Sequence, residues 1–263
     1  MNYLSKNEAM QLVCDIGRKM YQRGFVSAND GNITIRISDT TVVATPTGVS
    51  KGDLTPDKLL VCDFDGNVLE GTWKPTSELP MHLQVYKEDN TIMSTAHAHP
   101  TFLVVMANLG ADLDMALTPA TTAISGRIPC VPYCNPGSVE LAETVGKYVK
   151  DYNVVTLANH GPIAWGRTPI EAWYTLEDAE SYAKIAVIQK FLVGSYRPIS
   201  KPQIDLLAAT HDVTINPNRL VKCPETTTNE EAGISFETYR VPGVTLNEET
   251  INAIATRVAE ILR

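Results

Sequence analysis

Two histidines one residue apart, His97 and His99, stand in the stretch Thr95-Ala96-His97-Ala98-His99-Pro100. It follows Thr91-Ile92-Met93-Ser94, and Pro100 can neither donate to a ladder nor leave its predecessor unrestricted, so the stretch reads as the end of a short buried strand. Side chains alternate along a strand, which points both imidazoles the same way with only an alanine between them. A lone histidine in an apolar strand is most often a satisfied core residue. A pair on one face, joined by a third imidazole, is a donor set for a metal ion. His160 is that third candidate: the apolar run Asn153-Val154-Val155-Thr156-Leu157 leads into Asn159-His160-Gly161-Pro162, a strand entering a turn. Three imidazoles so arranged suit a catalytic zinc (Zn2+) site with three protein ligands and an open position, whereas a structural site would be closed by cysteines. The same nitrogen set accepts cobalt, nickel or manganese. The remaining histidines, His82 and His211, read as surface residues or as residues behind the site.

A carboxylate and several hydroxyls could serve such a centre. In Pro75-Thr76-Ser77-Glu78-Leu79-Pro80, Ser77 is a candidate N-cap and Pro80 falls in the first turn of a helix running through Leu83, Val85 and Tyr86. A helix N-terminus carrying Thr76 and Ser77 is a ready anion site. Glu78, taken alone, is equally a first-turn carboxylate that complements the helix dipole. The turns Ala28-Asn29-Asp30-Gly31-Asn32 and Thr45-Pro46-Thr47-Gly48 are each ordinary strand connections. Together they could cradle an anion with exposed hydroxyl and amide donors, because glycine lets backbone N–H groups come close.

The elements that must position these residues follow from pattern. Ser5-Lys6-Asn7-Glu8 is a capping box for a helix with apolar Ala9, Leu12, Val13, Ile16 and Met20, ended by Gly24. Strands are expected over 33–37, 41–44 and 59–63, with Asp65-Gly66-Asn67 turning the last into a hairpin arm at Val68. Helices are expected over 100–108, 138–149 and 169–193, the last capped by Thr168-Pro169-Ile170-Glu171, and a final one over 246–262. After Arg197 prolines and threonines predict irregular structure around one short helix. The expected fold is α/β: a single domain with a mainly antiparallel central sheet flanked by helices, comprising a catalytic domain over 1–197 and a C-terminal extension over 198–263 packed on it.

Composition limits the partners. With 263 residues, 44% hydrophobic and 20% charged, the chain can bury a sizeable core. A net charge of -8 and pI near 5.2 argue against a nucleic-acid surface, so an anionic ligand must be held locally. The first residues carry Lys6 and Glu8 and no long apolar run, which reads as neither signal peptide nor membrane span. Five scattered cysteines, among them Cys130 and Cys134, read as reduced thiols of a cytoplasmic protein.

Assembled in order, Gly31-Asn32, Thr45-Pro46-Thr47-Gly48, Pro75-Thr76-Ser77-Glu78, His97-Ala98-His99 and Asn159-His160-Gly161 resemble the class II aldolase/adducin family, in particular its zinc-dependent sugar-phosphate branch, over residues 4–193. The resemblance implies that His97, His99 and His160 hold the metal, which stabilises an enediolate as a Lewis acid. It implies that Glu78 is the acid/base and that Gly31, Asn32, Thr47, Gly48, Thr76 and Ser77 form the substrate-phosphate pocket. Asn29 stands where the family carries a hydroxyl residue and falls outside that set. Tyr133, in Ile128-Pro129-Cys130-Val131-Pro132-Tyr133, would reach a neighbouring subunit's site and protonate an aldehyde oxygen, in a homotetramer with its sites at subunit interfaces. The implied substrate is a small sugar phosphate, a ketose 1-phosphate cleaved to dihydroxyacetone phosphate and an aldehyde. Three other activities share the fold. A pentulose-phosphate 4-epimerase would carry Asp at position 78 and lack the Pro-Tyr segment, a phosphorylated keto-acid decarboxylase would use the same site, and a non-catalytic adducin-like module would have broken ligand positions.

Overall fold

The computed structural model describes residues 2–211 and 217–225, so the expected helix over 246–262 lies outside the described residues. One sheet of eight strands organises them: β1 (Asn32–Arg36), β2 (Thr41–Ala44), β3 (Leu60–Asp63), β4 (Val68–Glu70), β5 (Ser94–His97), β6 (Cys130–Val131), β7 (Val154–Leu157) and β8 (Pro162–Gly166). Their spatial order is β4-β3-β2-β1-β5-β8-β7-β6. Every pairing is antiparallel except β6 with β7, which agrees with the mainly antiparallel expectation.

Helices cover both faces. On one, α1 (Lys6–Gln22), α3 (Thr101–Asn108) and α6 (Pro169–Val193) pack over Ile33, Ile35, Val43, Ala96 and Ala164. On the other, α2 (Leu79–Glu88) and α5 (Val139–Gly146) cover Val42, Ala44, Leu60, Cys62, Ile163 and Trp165. Burial on two faces explains why runs such as Leu60-Val61-Cys62 are continuously apolar rather than alternating. The expected caps are present: Ser5 Oγ accepts from Glu8 N while Glu8 accepts from Ser5 N, and Thr168 Oγ1 accepts from Glu171 N. Gly194, in the left-handed conformation at φ 70°, ends α6.

The structure moves two expected boundaries. α5 stops at Gly146 and continues only as turns toward Val149. α2 begins at Leu79 with Glu78 in the N-cap position, and Ser77 is exposed and does not cap it. The hydroxyl that accepts a backbone N–H here belongs to Thr76, 3.3 Å from Glu78 N, and its orientation is fixed by Asn32 across the site. Beyond α6, α4 (Pro119–Ile124) packs against α7 (Lys201–His211), the one short helix expected after Arg197. The later described residues join the segment before β6: Lys222 N donates to Asp114 O and Arg127 N to Arg219 O. No helix of the described residues is long and apolar enough to cross a membrane.

Candidate metal centre and adjoining cleft

The centre forms where three strand ends meet. β5 lies between β1 and β8, and its last residue, His97, pairs in register with Asn32 on one side and Ile163 on the other. His99 follows two residues later, held by its backbone N–H donating to Phe25 O. His160 sits in the tight turn between β7 and β8, closed by Leu157 N to Gly161 O and His160 N to Leu157 O, with Asn159 in the left-handed region at φ 57°. The ligand atoms of the three histidines lie within 4.8 Å of one another, and the ring centroids are 4.7 to 5.0 Å apart.

The donor set fits a divalent ion. His97 Nδ1 bonds Pro162 O at 2.8 Å, and because a carbonyl only accepts, that nitrogen carries the proton and Nε2 keeps its lone pair. That Nε2 is 3.1 Å from His99 Nε2, whose other ring nitrogen lies 3.4 Å from the Asp30 carboxylate. Burial pushes His97 down to about 3 and also lowers His160, so both are neutral at pH 7 and offer lone pairs. The buried Glu78 Oε1 has no hydrogen-bond partner and lies 3.4 Å from His160 Nε2. An unpartnered carboxylate oxygen beside three converging imidazole nitrogens fits a divalent cation.

Glu78 is 8% exposed, its Oε2 accepting from Asn32 Nδ2 at 2.9 Å and lying 3.4 Å from His97 Nε2. Burial opposes its charge. The facing His97, when protonated, the Asn32 amide and a protonated His160 outweigh that penalty and hold the carboxyl low, at about 2. With both imidazoles neutral, the Asn32 N–H is the neighbour that favours the ionised form.

Next to the centre is a cleft of about 160 Å³ lined by Gly31, Asn32, Thr47, Thr76, Ser77, Glu78 and His99, together with Asn29, Asp30 and Pro46. The structure thus brings together nearly all the residues the sequence assigned to an anion pocket. Gly48 stands at the exposed turn just outside the lining, and Thr45, expected as an exposed donor, is fully buried with its hydroxyl accepting from Ile33 N. Asn29, set aside in the sequence comparison, is part of the wall. Asn32 has no free side-chain donor, because both N–H bonds of its amide are used on Thr76 and Glu78. Tyr133 is 60% exposed, its hydroxyl donates to Asn135 Oδ1, and it lies outside the lining of its own chain's cleft. Cys130 and Cys134 are free thiols.

Sequence reasoning did not pick out Asp30 or Lys51, and it read His82 as a surface residue or as one behind the site. Asp30 is the partner of His99. Lys51 is 1% exposed and donates to Asn29 O and Val49 O, joining the two turns that wall the cleft, and burial lowers it to about 8. His82, given a surface reading as one alternative, is fully buried. Its signal was in the sequence: Leu79, His82, Leu83 and Tyr86 share one helical face, which places an imidazole among core positions.

A single sheet with helices on both faces and a histidine-carboxylate centre at the ends of its central strands define a class of protein that comparison identifies. Residues 11–187 match the family model described as the class II aldolase and adducin N-terminal domain. The chain belongs to that family. It is 32% identical over 188 residues to a 3-oxo-tetronate 4-phosphate decarboxylase of Pectobacterium atrosepticum, covering 70% of this chain and 86% of that one. It is 34% identical over 173 residues to an L-fuculose phosphate aldolase of Methanocaldococcus jannaschii, covering 66% and 92%. A solved structure of an L-fuculose 1-phosphate aldolase superposes with a TM-score of 0.72 at 27% identity, over 80% of this chain and 98% of that one.

Proposed function

We propose that this chain is a divalent-metal-dependent aldolase that reversibly cleaves a ketose 1-phosphate to dihydroxyacetone phosphate and an aldehyde. The observation that carries the reading is the convergence of His97, His99 and His160 beside the orphaned oxygen of Glu78, at the mouth of a cleft rich in hydroxyl and amide groups. Held by the three imidazoles, a divalent ion, zinc by preference, supplies a Lewis acid for negative charge developing on the substrate's oxygens. The chain's own residues do the rest. In the synthetic direction ionised Glu78 takes the carbon-bound proton of dihydroxyacetone phosphate, and the electron pair left behind is delocalised as an enediolate. The enediolate carbon then bonds the aldehyde carbon, and the aldehyde oxygen takes a proton from Tyr133 of a neighbouring subunit. Cleavage is the reverse. Substrate filling the cleft excludes water and raises the basicity of Glu78 from its low resting value.

Thr47, Thr76 and Ser77, with backbone N–H groups around Gly31 and Gly48, receive the phosphate, and Asn32 holds Glu78 rather than the anion. Neutral donors suit a chain of net charge -8. The reading extends to a cytoplasmic homotetramer, in which the exposed Tyr133 is supplied across an interface, and to a catalytic domain over 1–197 carrying an extension over 198–263.

A second reading is favoured by the similarity to 3-oxo-tetronate 4-phosphate decarboxylases at the same level of identity. Loss of carbon dioxide from a phosphorylated keto acid also leaves an enediolate, to be protonated at carbon by Glu78 once that residue has taken a proton from solvent, but no aldehyde oxygen needs a proton. Tyr133→Phe therefore separates the two: it impairs an aldolase and spares a decarboxylase. A non-catalytic module has no use for an intact donor set and an ionised Glu78.

Glu78→Gln tests the shared chemistry. The variant keeps shape and loses the base, so it is expected to retain metal while exchange of the carbon-bound proton of dihydroxyacetone phosphate with deuterium falls by ~10²-fold or more. Exchange at the parent rate would reduce Glu78 to a helix-start carboxylate.

A further inference from the structure

Beneath α2 the sheet carries polar side chains where core residues belong. Tyr86, Thr34, Thr95, His82, Asn32 and Glu78 form one continuous hydrogen-bonded chain, and none is more than 8% exposed. Tyr86 OH lies 2.7 Å from Thr34 Oγ1, which lies 2.7 Å from Thr95 Oγ1. Thr95 Oγ1 bonds His82 Nδ1, His82 Nε2 bonds Asn32 Oδ1, and Asn32 Nδ2 donates to Glu78 Oε2 at 2.9 Å. Apolar side chains would fill this space at lower cost, because buried polar groups are tolerated only when all are satisfied.

The direction of each bond is fixed by chemistry. Glu78 Oε2 and the Thr76 hydroxyl both accept from the Asn32 amide nitrogen, which leaves Oδ1 facing His82. An amide oxygen only accepts, so His82 Nε2 must donate. Burial holds His82 neutral, at about 4, and a neutral ring protonated at Nε2 has a lone pair at Nδ1, to which Thr95 donates. Flipping Asn32 would set its oxygen against the carboxylate of Glu78.

We propose that His82 is a positioning residue for Glu78: its Nε2–H locks the Asn32 amide in the orientation that tethers Oε2 and leaves Oε1 directed at the metal centre. The proposal rests on the reading of Glu78 as the acid/base. Without His82 the amide is held only by its bonds to Thr76 and Glu78 and its oxygen is left unpaired in the core, so the tether loosens and the carboxylate swings. Proton transfer then slows while substrate binding does not change.

The direct test is the ring tautomer. In metal-free protein labelled with 15N-histidine, long-range 1H–15N spectra should show His82 protonated at Nε2 and bare at Nδ1, with a slowly exchanging Nε2 proton. A ring protonated at Nδ1 overturns the inference. The second test uses the zinc-loaded full chain with dihydroxyacetone phosphate as probe, reading deuterium exchange at carbon. His82→Leu should lower the maximal rate ~10- to 100-fold at an unchanged half-saturating concentration, the scale of lost outer partners. His82→Gln, which keeps an N–H donor near the Nε2 position, should restore most of it, and His82→Leu should add no further loss to Asn32→Ala. Multiplying losses, or failure of both His82→Gln and the nearly isosteric Thr95→Val to behave as a weakened tether, would mean that His82 serves packing alone. If Glu78→Gln exchanges at the parent rate, the reading of Glu78 falls, and the tautomer still decides whether His82 sets the Asn32 amide.

Discussion

Adding a single methyl group at Gly161 should weaken the metal centre without touching a ligand. Gly161 lies between the ligand His160 and Pro162, whose carbonyl receives the His97 Nδ1 proton. A Cβ built there would stand 2.5 Å from Ala98 O and 2.8 Å from His99 Cδ2. Ordinary contact begins near 3.4 Å, so about 0.9 Å (3.4 minus 2.5) must open between the β7–β8 turn and the segment that carries His97 and His99. Zinc sites hold their bond lengths to roughly 0.2 Å, so a shift of that size misaligns at least one imidazole. Overpacking should cost ~1–3 kcal/mol of stability. Zinc affinity should fall ~10- to 100-fold, the scale seen when the support of a ligand is disturbed. A zinc titration against a chromophoric chelator measures it, alongside a denaturation curve. Gly48→Ala is the control, because Gly48 at φ +77° has nothing within 4 Å of the added carbon and should lose ~1–2 kcal/mol to strain with zinc affinity intact. Parent affinity in Gly161→Ala would refute the view that this turn is a fixed carrier of the ligands.

Two further outcomes are expected. Ser77→Ala should raise KM for a phosphorylated ketose and leave its unphosphorylated analogue unaffected, and equal losses on both would show that the cleft does not receive the phosphate. Metal-free protein should lose stability as pH falls from 6.5 toward 4, because His82 stays neutral in the fold down to about 4 while the unfolded chain takes up the proton near 6.5. The unfolded state then binds more protons, so stability rises with pH through that window, by roughly 3 kcal/mol from His82 alone, from 6.5 to about 4 at about 1.36 kcal/mol per pH unit. Urea midpoints at pH 7 and 4.5 check this, and a difference that is undiminished in His82→Gln would contradict it.

What the sequence disclosed divides by the range of the interactions. The caps at Ser5 and Thr168 rest on residues three positions apart, so they were legible directly. The histidine centre was legible because extended chain at and just past the end of β5 puts His97 and His99 together and a turn residue supplies His160. The start of α2 was misplaced by one residue because two adjacent hydroxyls compete there, and Asn32, far away in sequence, selects Thr76. β1 alternates apolar and polar residues as a strand with one wet face would, yet every residue is buried, since α2 covers the polar side and Arg36 is satisfied by the Ser38, Asp39 and Asn90 carbonyls. Lys51 likewise looks like a surface residue in sequence, and only the folded chain places two carbonyls at its ammonium.

The central claim is that this chain breaks a carbon–carbon bond in a phosphorylated sugar with a metal held by His97, His99 and His160. Zinc-loaded protein should be incubated with L-fuculose 1-phosphate and other ketose 1-phosphates, and separately with 3-oxo-tetronate 4-phosphate, while dihydroxyacetone phosphate and carbon dioxide are measured. The account predicts dihydroxyacetone phosphate from a ketose 1-phosphate, abolished by a chelator and by His97→Ala. Carbon dioxide from the keto acid alone would move the protein to the decarboxylase reading, and release of neither product, or turnover at the parent rate by His97→Ala, would contradict the account.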